Sequence, residues 1–145
     1  MKKTLNVILI ALLALALFGC EYEAVKGSGK AIELNEKNLQ KFMDDKKMGF
    51  LYIKSAFDSH EKSERVQLRE IERVAKSEKI DFYVFDAGSY GKDHTKIGIK
   101  QYSGTFAFYQ NGEMKEELGF MDVSKDDVPS EVEKFIQNVK YDYFK

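Results

Sequence analysis

Four consecutive polar residues, Asp58, Ser59, His60 and Glu61, hold two carboxylates, a hydroxyl and an imidazole. Asp, His and Glu could ligate a metal or move protons, with His94 as a distant helper. A metal site needs three or four convergent ligands, however. Ser59 and His60 are adjacent, and adjacent residues of a helix point apart, so they do not form a nucleophile and its base. An Asp or Ser just before a helix commonly caps it, and a Glu in the first turn favours the helix dipole. Capping is the preferred reading of this turn. A metal-binding or non-thiol catalytic site at Asp58, His60 and Glu61 is the alternative. No cofactor is expected.

The elements around the turn are readable. Phe50 to Lys54 is apolar or aromatic at nearly every position, the pattern of a strand buried on both faces. From Ser59 or His60 to Ser77 the spacing is helical, with Leu68, Ile71, Val74 and Ala75 on the buried stripe. Phe82 to Phe85 predicts a third strand, and strand, helix, strand at this length implies a parallel unit. Upstream, Ala31 to Leu34 predicts a short first strand. Asn35 is a plausible N-cap for a helix ending near Lys46, with Leu39, Phe42 and Met43 on one face. Downstream, a short helix is expected between Lys92 and Ile97. Thr105–Tyr109 and Lys115–Phe120 flank Asn111-Gly112, a hairpin signal. A closing helix starts near Pro129 with Val132, Phe135, Ile136 and Val139 facing inward.

Length allows one domain with a substantial core but not two. The first nineteen residues stand apart: Lys2 and Lys3 precede an unbroken apolar run from Val7 to Phe18, the pattern of a secretory signal. The run closes in Leu17-Phe18-Gly19-Cys20, and Cys20 is the chain's one cysteine. With a formal net charge of −1 and no basic face, nucleic acid is not an expected partner. Residues 20–30, containing Gly27-Ser28-Gly29, are expected to form a flexible tether before a domain at 31–145.

Leu17 to Cys20 resembles the bacterial lipobox. The resemblance implies acylation of the Cys20 sulfur, cleavage before it, and a lipid-anchored protein on the extracytoplasmic face of the cell membrane. The mature chain would then carry no free thiol. The order of elements, together with Ala31–Leu39, Phe50–Lys62 and Gly98–Glu113, resembles thioredoxin and its relatives. That implies an α/β fold, a single thioredoxin-like domain with a mixed central sheet of four to five strands flanked by helices. The family's two redox cysteines fall on Asp58 and Glu61, and the Gly-Pro between them on Ser59-His60. Its tryptophan falls on Phe57, its buried acid on Tyr52, and its cis-proline near Ser103-Gly104. A thiolate at a helix N-terminus is the basis of disulfide exchange, so that activity is not expected.

The reading that remains is a redox-inactive, membrane-anchored binding or adaptor module of the cell envelope with a protein or peptide partner. A structural, cell-wall-associated role is a further alternative. Phe57 and Tyr102 should both lie in loops, where exposed aromatics often mark a contact surface. The candidate recognition edge is therefore Phe57, Asp58, Ser59, His60, Tyr102, Ser103 and Gly104. Tyr141, Tyr143 and Phe144 form an aromatic tail that could cap the core or meet a partner.

Overall fold

The computed structural model describes residues 25–90, 96 and 98–144. Cys20, the expected signal segment and His94 lie outside these residues, as does most of the helix expected between Lys92 and Ile97.

Five strands form one sheet in the order β1-β3-β2-β4-β5. They are β1 (Ala31–Leu34), β2 (Gly49–Lys54), β3 (Phe82–Asp86), β4 (Thr105–Gln110) and β5 (Glu113–Gly119). The strands β1, β3 and β2 run parallel, and β4 and β5 join antiparallel to β2 and to each other. Helices α1 (Glu36–Asp44), α2 (Glu61–Glu78), the single turn α3 (Ala87–Tyr90) and α4 (Val128–Tyr143) complete the described fold.

The two-residue period of the strands divides the core. Phe50, Tyr52, Phe82, Val84, Phe106 and Phe108 face α2 and α4, meeting Ile71, Val74, Val132, Ile136 and Val139. Leu51, Ile53, Phe85, Ala107 and Tyr109 face α1, meeting Leu39 and Phe42. Every β2 residue except Lys54 is buried, as its unbroken apolar sequence predicts for a central strand. Asn111 and Gly112 both have positive φ, at 58° and 77°, which is the primed turn that an Asn-Gly hairpin favours. Tyr143 donates to Glu116 and its ring packs on Phe108, while Phe144 packs on Phe50 and Phe108, so the aromatic tail caps the core. Tyr141 remains exposed.

Asn35 caps α1 as expected, its side chain accepting the Asn38 N–H at 2.8 Å. Two expectations fail. The segment 25–30, read as part of a tether, is packed on the domain: Val25 is 1% exposed and its carbonyl accepts the Asp81 N–H. The Ser28 and Lys30 N–H groups both donate to the Asp81 carboxylate at 2.8 Å. Polar composition and glycines suggested looseness there, but Gly29, at φ 85°, serves close approach to the Lys76 backbone. The second failure is the cap on α2, described next.

Candidate functional site

At the carboxyl end of β2 the chain leaves the sheet at Lys54 and turns through a 3₁₀ segment, Asp58–His60, into α2. Neither Phe57, which precedes the 3₁₀ turn, nor His60, which precedes α2, makes a side-chain cap bond. Asp58 and Ser59 are therefore not the caps that the sequence suggested. The anchoring comes from Ser55 and Glu64 instead. The Ser55 N–H donates to a Glu64 carboxylate oxygen. The Ser55 hydroxyl oxygen accepts the Phe57 N–H at 3.2 Å and lies 3.1 Å from His60 Nδ1. The His60 and Phe57 rings pack edge to face, 5.8 Å between centroids. The serine–histidine contact thus pins the loop that carries Phe57.

Glu64 is 8% exposed, among the few buried charged or polar residues described. Burial raises its carboxyl above the ordinary glutamate range, and the Asp86 charge adds to that rise. The Ser55 hydrogen bond and the charges of His60 and Lys54 oppose the rise without cancelling it. Beneath it Tyr52, fully buried, donates its hydroxyl to the Gln67 side chain at 2.6 Å. Burial, with the Glu64 charge beside it, pushes the Tyr52 phenol far up. Burial also pushes the Asp86 carboxyl up, but hydrogen bonds from the Ser89 N–H and hydroxyl, with the Lys54 charge and the Gly88 N–H, together hold Asp86 below the usual range.

Glu64, Asp86 and Ser89 line an open cleft of about 570 Å³ between the loop after β2, the first turns of α2 and the turn after β3. Gly88 lets the latter turn press against Ala56, since a Cβ there would stand 3.1 Å from the Ala56 Cα. Phe57, Asp58, Glu61 and Glu64 reach the cleft together with Asp86 and Ser89. Tyr102, Ser103 and Gly104 do not line it, but they meet the same strand end: the Gly104 N–H donates to the Ile53 carbonyl at 2.6 Å. Phe57 is 67% and Tyr102 76% exposed, as their loop positions predict. Gly104, at φ 73°, belongs to the pair Ser103-Gly104 near which the resemblance would put a cis-proline; among the described residues no peptide bond is cis. Nor does any group of three His, Asp or Glu side chains among the described residues stand ready to hold a metal.

Sequence reasoning missed Ser55, Glu64 and Gln101. The Gln101 amide, buried, donates to the Leu51 and Thr105 carbonyls and fixes the loop that bears Tyr102. Glu64 was detectable: it falls four and seven positions before Leu68 and Ile71, on the buried stripe of α2.

The sheet order, with a parallel half, an antiparallel hairpin half and helices on both faces, defines a single thioredoxin-like α/β domain. In fold the chain is similar to thioredoxin from Trypanosoma brucei brucei, with a TM-score of 0.49 and 14% identity over 79% of this chain and 95% of that one. It is similar also to a designed protein, with a TM-score of 0.44 and 17% identity over 79% of this chain and 94% of the other. No protein-family model and no curated protein matches the sequence.

Proposed function

We propose that this protein is an extracytoplasmic lipoprotein, acylated at Cys20, whose thioredoxin-like domain binds a protein or peptide partner of the cell envelope without dithiol chemistry. The observation that carries the reading is the pair of exposed aromatics, Phe57 and Tyr102, on two loops tied to the same end of β2. Large apolar side chains held in the open by fixed loops suit contact with another chain. By the resemblance, the family's dithiol pair falls on Asp58 and Glu61, neither of which supplies sulfur for covalent capture. The fold gives the setting and the loop edge gives the contact.

Cross-linking in intact cells, followed by recovery of the full chain from the membrane fraction, tests this. A partner captured by the native protein and lost from the Phe57→Ala, Tyr102→Ala double variant is the expected result. Equal capture by both would rule the edge out. Disulfide reduction by the purified protein would rule out the redox-inactive part of the reading.

A further inference from the structure

Val25 lies five residues after Cys20, and it is already built into the domain. It is 1% exposed, its carbonyl accepts the Asp81 N–H, and Lys26 makes an antiparallel bridge to Ile80. Five residues span at most about 18 Å when fully extended. An acylated Cys20 would therefore leave the domain no room to stand clear of the bilayer.

The described surface beside that attachment point carries four lysines. Residues 26–30 wrap the carboxyl end of α2: the Gly27 N–H donates to the Lys79 carbonyl, and Gly29 packs on the Lys76 backbone. The wrap gathers Lys26, Lys30, Lys76 and Lys79, all exposed and none ion-paired among the described residues. The carboxylates of the same patch are engaged. Glu78 is bridged by Lys140 at 2.6 Å, and Asp81 accepts the Ser28 and Lys30 N–H groups. Lys79 also holds the left-handed position after α2, φ 55°, where glycine is the usual residue.

We propose that the lysine patch of Lys26, Lys30, Lys76 and Lys79 docks on the anionic headgroups of the membrane that the anchor enters. This rests on the acylation of Cys20 proposed above. Each basic residue held near an anionic surface strengthens attraction about fivefold, and the short leash keeps all four within a Debye length or two of the lipid. Docking fixes orientation. The helix α2 is 18 residues, about 27 Å, so its starting end at Glu61, with Ser59 just before it, can stand up to that far from the lipid when its finishing end lies on it. The aromatic edge is then presented outward.

The full lipidated chain, reconstituted into vesicles of phosphatidylglycerol and phosphatidylethanolamine carrying a spin-labelled headgroup, tests the orientation. Acylation consumes the native thiol, so Ser77→Cys or Ser59→Cys supplies a single site for a fluorophore. Strong quenching at Ser77, weak quenching at Ser59, and loss of that difference when all four lysines become glutamine are the expected results. The protein should stay with the vesicles throughout. Equal quenching at the two sites in the lysine-intact protein would overturn docking. A difference that survives the fourfold change would overturn the role of the lysines. Thiol-dye uptake by the unsubstituted protein would instead sink the anchor itself.

Discussion

The Ser55 backbone N–H donates to the Glu64 carboxylate nine residues later, tying the exit of β2 to the first full turn of α2. The bond spans the 3₁₀ turn and so sets where Phe57, Asp58 and Glu61 stand around the cleft. A charge-assisted bond from a carboxylate to a backbone donor is stronger than a neutral one, yet the carboxylate has been taken out of water to make it.

Glu64 therefore has opposite expected responses to two substitutions. Glu64→Ala leaves the Ser55 N–H without its acceptor and should destabilise by about 1–3 kcal/mol. Glu64→Gln keeps an oxygen for Ser55 and removes the charge. The folded carboxyl titrates above its unfolded counterpart, so the native state holds the proton more tightly and loses stability as pH rises through the folded value. The glutamine variant should accordingly melt higher than the native protein at neutral pH, and the gap should close as pH falls below about 4, the ordinary glutamate range. Thermal unfolding across that range measures it.

Tyr52 gives the alkaline counterpart. Its phenol is raised by burial, so the unfolded chain ionises first and stability falls once pH passes about 10, the ordinary tyrosine value. Spectroscopic titration should show Tyr52 silent until the protein unfolds. Tyr52→Phe should reduce that dependence, the buried Tyr109 phenol, also pushed up, keeping a share of it, and cost about 0.5–1.5 kcal/mol at neutral pH for the lost bond to Gln67.

Val25→Ala tests whether the chain before β1 belongs to the domain. Two buried methyl groups at about 0.8 kcal/mol each predict a loss of about 1–2 kcal/mol in denaturant unfolding. Gly29→Ala should cost more than about 1 kcal/mol, because its Cβ would stand 2.4 Å from the Lys76 Cα at a positive φ. A free tether would respond to neither change.

Lys79→Gly should stabilise the fold by about 1 kcal/mol, since glycine holds the left-handed position without strain. The same change should weaken the headgroup contact, reducing quenching at a Ser77 fluorophore. A variant that melts higher and docks less would separate the two roles of this lysine.

The exposed aromatics belong to a different class. Phe57→Ala and Tyr102→Ala should each stay within about 0.5 kcal/mol of the native stability, because neither ring is buried. Capture of a partner is the measurement that should change.

Much of the fold was legible because period and punctuation suffice for it. The apolar run Phe50–Ile53, the helical stripe Ile71, Val74 and Ala75, the Asn35 cap and the Asn111-Gly112 turn each carry a local physical signal, and each stands where that signal put it. Local signals do not report partners distant in sequence. Asp58 and Ser59 look like caps by type, but tertiary packing turned Glu64 inward and gave the Ser55 N–H to it. Residues 26–30 look loose by composition, but Asp81, more than fifty positions away, accepts the Ser28 and Lys30 N–H groups, and the Lys79 carbonyl at the end of α2 accepts that of Gly27. Sequence by itself determined the five strands, the three long helices and the single cysteine, but not the helical turn at Ala87–Tyr90. Tertiary structure alone decided which carboxylate is buried, that the chain before β1 packs on the domain and which lysines share a surface, because burial and hydrogen-bond partnership depend on distances in space and not along the chain.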